Sequence, residues 1–194
     1  MSSDPCRVIR RAMWTRRCEH GWVTMSVGGR LLVATPDLGD PNFDRSVVYV
    51  VQHDEQGAIG VVLNRRSETR VESEFAGLGA MASTPAVFFV GGPVAEGAVV
   101  ALGRRTDVIE LVELEPVVDG VVDPPGDLRL FVGYAGWGPR QLDAEVATGS
   151  WLVVDAVPDD VFSMDPDGLW RSVLRRQPGP ISKLALYPDD VMAN

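Results

Sequence analysis

The sequence predicts a single α+β domain built on a mainly antiparallel or mixed sheet with helices packed on it. A length of 194 residues suits one domain of ordinary size. Short apolar runs, broken by Gly, Pro and Asp, outnumber the helical patterns. The clearest two runs form a β-hairpin, so at least part of the sheet is antiparallel.

The predicted strands are short apolar runs bounded by turn residues. In chain order they span residues 31–35, 47–53, 58–64, 86–90, 99–102, 108–114, 128–134 and 151–154. The strongest pair surrounds the turn Asp54-Glu55-Gln56-Gly57, in which Gly57 occupies a position that requires a positive φ. A loop rich in Pro and Asp, residues 36–46, connects the first strand to this hairpin.

Helical periodicity is confined to three segments. Residues 68–82 are weakly helical, and residues 139–148 carry apolar side chains four apart. The clearest helix begins at Pro166, which follows a capping aspartate, and ends near Gln177, because Pro178 blocks its continuation. Its apolar stripe consists of Leu169, Trp170, Val173 and Leu174.

The net charge of −9 is unevenly distributed along the chain. Residues 1–24 carry +3, and the remainder carries −12. An acidic body argues against direct contact with nucleic acid, which depends on clustered Lys and Arg. Cys6 and Cys18 both lie in the basic segment, so the sequence excludes disulfides and thiolate metal sites from the remainder.

Residues 1–28 are predicted to be a basic extension that is disordered or dispensable, and residues 29–194 to be the domain. Translation starting at Met25 is one explanation of the extension, and a basic arm that binds an acidic partner is another. The segment lacks the apolar stretch of a secretory signal. No apolar run approaches the roughly 18 residues of a membrane span. These observations predict a cytoplasmic protein without a membrane segment.

The sequence offers little catalytic chemistry. It lacks the phosphate-loop, zinc-protease and nucleophile-elbow signatures. Residues 77–82 satisfy G-x-G-x-x-A, but no buried strand precedes them, so dinucleotide binding is not predicted. The only histidine outside the basic segment is His53, interpreted either as a strand-end side chain bonded to the turn backbone or as a ligand or general base. We therefore predict no catalytic residue set, metal site or cofactor, and the sequence favours a protein that is not an enzyme.

Four motifs follow one another along the chain. They are residues 36–49 (PDLGDPNFDRSVVY), the hairpin H-x-x-x-GAIGVVLN of residues 53–64, GGPV of residues 91–94, and GYAGW-x-x-x-QL of residues 133–142. By these motifs the chain resembles the YqgE/AlgH family of uncharacterised bacterial proteins, from about residue 29 to about residue 187. The acidic stretch of residues 107–127 carries no motif of this family.

The resemblance implies a compact α+β domain whose sheet curls into a partly closed, barrel-like form. Family members are often labelled transcriptional regulators, a function that would require a DNA-reading element. The best helix of this sequence, residues 166–177, has a Trp and Leu face suited to the core. Its basic end suits a helix C-terminus.

The motif residues suggest one candidate binding groove, in which the two Gly-rich segments present backbone groups beside polar and aromatic side chains. The candidate residues are His53, Asn64, Gly91, Gly92, Tyr134, Trp137 and Gln141. Alternatively, the aromatic residues fill the core, and their polar atoms form hydrogen bonds with the backbone. The preferred function is a non-catalytic binding or regulatory protein with a protein or small-molecule partner. A transcriptional regulator and a hydrolase using His53 with carboxylates are the alternatives.

Overall fold

The structure, a computed structural model, describes the pair Arg7–Val8 and residues 26–188. Its strands are β1 (Arg7–Val8), β2 (Arg30–Ala34), β3 (Val47–Asp54), β4 (Gly57–Val62), β5 (Arg66–Arg70), β6 (Val87–Val90), β7 (Val94–Arg105), β8 (Val108–Leu111), β9 (Asp127–Trp137) and β10 (Trp151–Asp155). Its helices are α1 (Val71–Glu74), α2 (Leu114–Val118), α3 (Gln141–Ala147), α4 (Pro158–Val161), α5 (Leu169–Arg175) and a 3-10 helix (Gly179–Leu186). None of the helices in this part of the chain is long and apolar enough to cross a membrane.

The strands form one mixed sheet with the order β1-β7-β9-β4-β3-β2-β10, and β5, β6 and β8 pair beside this path. Most neighbours are antiparallel, whereas β1 with β7 and β6 with β9 are parallel. The sheet is not closed. The predicted single α+β domain with a mixed, partly curled sheet is confirmed.

The long strand β9 joins the two halves of the sheet. One edge of β9 pairs with β7. The other edge pairs first with β6, at Phe131 and Val132, and then with β4, from Ala135 to Trp137. Gly133 lies between these two pairings with a φ of 69°. The strand therefore changes partner at a residue whose backbone conformation favours glycine.

The core has three parts, because the curved sheet is covered on more than one face. The largest cluster packs residues from both halves of the sheet against α5, as in the group Val33, Val61, Phe131, Trp170 and Val173. A second cluster gathers Trp137, Leu142 and Trp151 around α3, and a third surrounds α1 and α2. The indole of Trp170 also donates to the Ala34 carbonyl at 2.9 Å, which fixes α5 on β2.

A buried arginine connects β9 to α4. The Arg129 guanidinium donates to the carbonyls of Val161 and Thr84, at 3.0 and 2.8 Å, and lies 4.4 Å from the ring centre of Phe89. Burial lowers the pKa of Arg129 to about 10, although the charge of Asp127 acts in the opposite direction. The charged Arg129 side chain thus connects α4 to the 84–85 segment, because it donates hydrogen bonds to both.

The structure corrects several predicted elements. Residues 68–82, predicted as weakly helical, belong to the edge strand β5, the single-turn helix α1 and turns, because residues of β5 pair with β6. The run ending at residue 114 stops earlier as a strand, and Leu114 begins the unpredicted helix α2. The strand predicted over residues 128–134 is longer, because β9 includes the whole GYAGW motif as far as Trp137.

The basic extension falls mostly outside the described residues, as does the proposed start at Met25. The described pair Arg7–Val8 forms β1 beside Ala98 and Val99 of β7. The boundary between residues 28 and 29 stays a prediction.

The contact between residues 91–92 and residues 133–134, which we call the glycine crossing, is made by backbone alone. A Cβ on Gly91 would lie 2.3 Å from the Gly133 carbonyl oxygen, and one on Gly133 would lie 2.4 Å from the Gly92 carbonyl oxygen. Both distances are far inside van der Waals contact. Glycine is therefore required here for close approach.

We predict that Gly91→Ala lowers the free energy of unfolding by about 2 kcal/mol or more, because the new methyl group must displace a paired strand. Gly97→Ala is the matched control, since a Cβ at Gly97 meets nothing within 4 Å. Denaturant unfolding of both variants measures the difference. Equal free energies of unfolding in the two variants would show that the strands at the glycine crossing accommodate a methyl group. That result would contradict the prediction.

Candidate functional site

The structure divides the predicted site residues between two places. His53, Trp137 and Gln141 lie near α3. Asn64, Gly91, Gly92 and Tyr134 surround the glycine crossing, where Val62 N–H donates to the Gly91 carbonyl and Val94 pairs with Tyr134. The structure thus gathers the seven residues into two groups.

The α3 group begins with a row across three strands. His53 is paired with Ala58, and Ala58 is paired with Trp137. Residues directly opposite each other in antiparallel strands point to the same face of a sheet. The register therefore brings His53 and Trp137 to the face that α3 covers.

A single carboxylate holds this face together. Oε2 of Glu145 accepts hydrogen bonds from the indoles of both Trp137 and Trp151 at 2.8 Å. Oε1 of Glu145 accepts a bond from the Gln141 amide at 2.9 Å. Phe43 packs against both indole rings, with centroid distances of 6.2 and 5.5 Å. Trp137 and Gln141 thus hold α3 and the 36–46 loop in place. Their polar side-chain atoms already form hydrogen bonds within the fold.

His53 is buried and uses both ring nitrogens. Its Nδ1 accepts the Val27 N–H at 3.2 Å, so the proton of the neutral ring lies on Nε2. Nε2 faces Oδ1 of Asp143, on α3, at 3.6 Å. The Ser26 hydroxyl donates to the His53 carbonyl at 2.9 Å. The predicted bond to the turn backbone is wrong in its partner, because His53 bonds to residues that precede β2.

Asn64 holds the start of β3. Its Nδ2 donates to the Arg45 carbonyl and its Oδ1 accepts the Val47 N–H, both at 2.9 Å. Arg45 has a φ of 49°, a conformation that needs such external support. Asn64 therefore shapes the 36–46 loop.

An open cavity lies beside the glycine crossing. We call it the motif cavity; it has a volume of about 300 Å³ and is lined by Asn42, Val62, Arg65, Val90, Gly92, Pro93, Glu96 and Val132. Its apolar part comes from one valine on each of β4, β6 and β9. Three charged or amide side chains stand around it, which gives an apolar pocket with a polar rim.

Sequence reasoning identified only Gly92 among the residues of this cavity. Asn42, Val62 and Pro93 belong to quoted motifs, but their shared location follows from the strand pairing. Glu96 had no sequence signal at all. Glu145 was also missed, although it follows Gln141 at helical spacing and so shares its face of α3.

Two arginines of this helical segment, Arg171 in α5 and Arg176 directly after it, are engaged inside the molecule. Arg176 contacts both carboxylate oxygens of Asp160 at 2.5 Å, and Arg171 donates to the Tyr187 carbonyl at 3.1 Å. These bonds give the basic helix end a structural role, because they hold the helix against other parts of the fold. Among the described residues, no group of three or more His, Cys, Asp or Glu is arranged to hold a metal ion.

A family model described as AlgH-like, DUF179, matches residues 31–182. The chain belongs to the AlgH-like family. This confirms the YqgE/AlgH resemblance, which rested on the same motifs that form the glycine crossing and the loop beside it.

Relatives of the AlgH-like chain match over nearly their full length. It is 45% identical to a UPF0301 protein of Streptomyces coelicolor over 185 residues, covering 87% of this chain and 96% of the relative. It is 43% identical to a UPF0301 protein of Thermobifida fusca, covering 88% and 96%.

Solved structures show the same fold. A crystal structure of a Corynebacterium diphtheriae protein has a TM-score of 0.75 at 28% identity, covering 90% of this chain and 96% of that protein. The solution structure of the AlgH protein from Pseudomonas aeruginosa has a TM-score of 0.62 at 25% identity, covering 89% and 100%.

Glu145→Gln is expected to lower the free energy of unfolding by about 1 to 3 kcal/mol, because the amide NH2 replaces one accepting oxygen and faces at least one side-chain donor. Asp143→Asn, on the same helix, is the control. Its contact with His53 is long, at 3.6 Å, and partly exposed, so we expect less than about 1 kcal/mol. Unfolding in denaturant, followed by tryptophan fluorescence, measures both. A larger loss in the control than in Glu145→Gln would contradict the assignment.

His53→Leu is expected to release residues 26–28, because the Val27 N–H loses its acceptor. Hydrogen exchange at the Val27 amide should become faster, whereas Asp143→Asn should leave it protected. Unchanged protection in His53→Leu would show that the ring does not fasten this segment.

Proposed function

We propose that this AlgH-like protein is a non-catalytic binding protein that takes a small zwitterionic ligand in the motif cavity. The ligand is an amino acid or dipeptide with a branched apolar side chain. The proposal rests on the place where the motifs meet. Three of the four family motifs contribute wall residues to this cavity, and Val132 directly precedes the fourth.

The chemistry of the walls determines the ligand class. Val62, Val90 and Val132 offer an apolar surface to a branched side chain. Arg65 supplies a cation for a carboxylate, and Glu96 supplies an anion for an ammonium group. A volume of about 300 Å³ lies at the small end of ligand sites, which favours a ligand of one or two residues.

The cavity has a fixed frame on its polar side. The Arg65 guanidinium lies 3.3 and 3.4 Å from the carbonyls of Pro41 and Asp44, so it connects the hairpin end to the loop that carries Asn42. Because Asn64 holds the same loop at the adjacent residue Arg45, the rim is organised before a ligand arrives. Such preorganisation reduces the entropy lost on binding.

The proposal includes the predicted cytoplasmic location, where free amino acids and short peptides are available. The DNA-binding and hydrolase alternatives stay predictions, and the engagement of Arg171, Arg176 and His53 within the fold favours the binding function over both.

An NMR titration of the full chain tests the proposal with leucine and two analogues, leucinamide without the carboxylate and 4-methylpentanoate without the ammonium group. We expect shifts at Val62, Val90 and Val132. Glu96→Gln should weaken leucine and leucinamide about threefold and leave 4-methylpentanoate unchanged.

Val90→Gln should weaken all three compounds, because it places an amide in the apolar part of the cavity. Val157→Gln is the matched control, since both valines are 44% exposed and Val157 lies outside the cavity. Absence of shifts at the cavity with every compound, or equal effects of the two substitutions, would overturn the proposal.

A further inference from the structure

The acidic stretch without a family motif forms a structural unit of its own. Residues 107–127 contain seven Asp or Glu and no Lys or Arg. The structure folds them into β8, α2 and the loop that leads to β9. None of these residues lines the motif cavity.

This unit contains an apolar groove, which we call the β8–α2 groove. Its volume is about 490 Å³, and its apolar floor consists of Leu111, Val112, Pro116, Val117 and Val122. Valines beside the groove are open to solvent: Val108 is 63% exposed, Val118 52% and Val121 77%. Exposed apolar patches with a polar rim are a mark of interaction sites.

The rim of the groove carries excess negative charge. Arg105 donates from Nε to Glu110 at 2.7 Å and from its terminal nitrogen to the Asp123 carbonyl at 2.6 Å, so its charge is matched by Glu110. The carboxylates of Glu113 and Asp123 form no ion pair with any other residue that the structure describes. Both residues are exposed, so their charges are available to a partner.

We propose that the β8–α2 groove binds a basic amphipathic segment of a partner protein. The apolar side chains of that segment cover the floor, and its Lys or Arg side chains lie against Glu113 and Asp123. Charge selects this occupant: the body of a second copy, residues 25–194, carries −12 and nucleic acid is also anionic, so both are repelled by the rim. The proposal does not depend on the function of the motif cavity.

The test uses a fluorescent peptide of leucine and lysine, with leucines three and four residues apart so that they share one helix face. We expect it to bind the full chain and to shift the amide signals of Val112 and Val122. The double variant Glu113→Gln, Asp123→Asn should weaken binding about fivefold. A peptide with glutamate in place of lysine should not bind.

The matched control is the double variant Glu55→Gln, Glu68→Gln, which removes two exposed carboxylates of the domain outside the groove. It should change affinity less than twofold. Equal weakening by the two double variants would show that the peptide responds to overall charge, and would overturn the proposal.

A second control concerns the basic residues of this chain itself. If Arg10→Gln, Arg11→Gln in the full chain tightens peptide binding severalfold, the occupant of the groove is the chain's own basic segment and the partner proposal fails. Unchanged affinity supports an external partner.

Discussion

The backbone contact between residues 91–92 and residues 133–134 is the constraint on which the rest of the structure depends. At this point β9 leaves β6 and begins to pair with β4, so the two halves of the sheet are held in one piece. A side chain at Gly91 or Gly133 would force the strands apart. The curvature that follows separates the core into clusters and creates the motif cavity beside the crossing. Fold and candidate site therefore share one physical origin.

The fold was predictable where a local pattern coincided with the final structure. The hairpin around Gly57 is an example, because its turn requires a positive φ and the observed value is 128°. The helix on which Trp170 and Val173 share a buried face was recognisable for the same reason. Residues 66–70 were not, because their strand conformation depends on a partner, β6, that is remote in sequence. Periodicity cannot report a pairing of this kind.

The candidate site was less predictable, because its residues meet only through strand order. Trp137 and Gln141 were singled out from the sequence as candidate site residues. In the structure they hold α3 in place through their hydrogen bonds to Glu145. A rare residue such as His53 attracts attention in a sequence, yet its nitrogens serve the backbone and a neighbouring carboxylate. The cavity is instead lined by ordinary valines, which no motif distinguishes from core. A residue whose chemistry stands out in the sequence is therefore not necessarily exposed in the fold.

The distance along the chain between paired strands has a consequence for biosynthesis. The inner strand Arg30–Ala34 receives its outer neighbour only when Trp151–Asp155 has been made, and its anchor Trp170 follows Ala34 by 136 residues. On the ribosome, this strand therefore has an open apolar edge for most of translation. Open edges recruit strands from other chains. The early hairpin of β3 and β4 covers the opposite edge of β2 and leaves a single edge for chaperones to shield while the nascent chain lengthens.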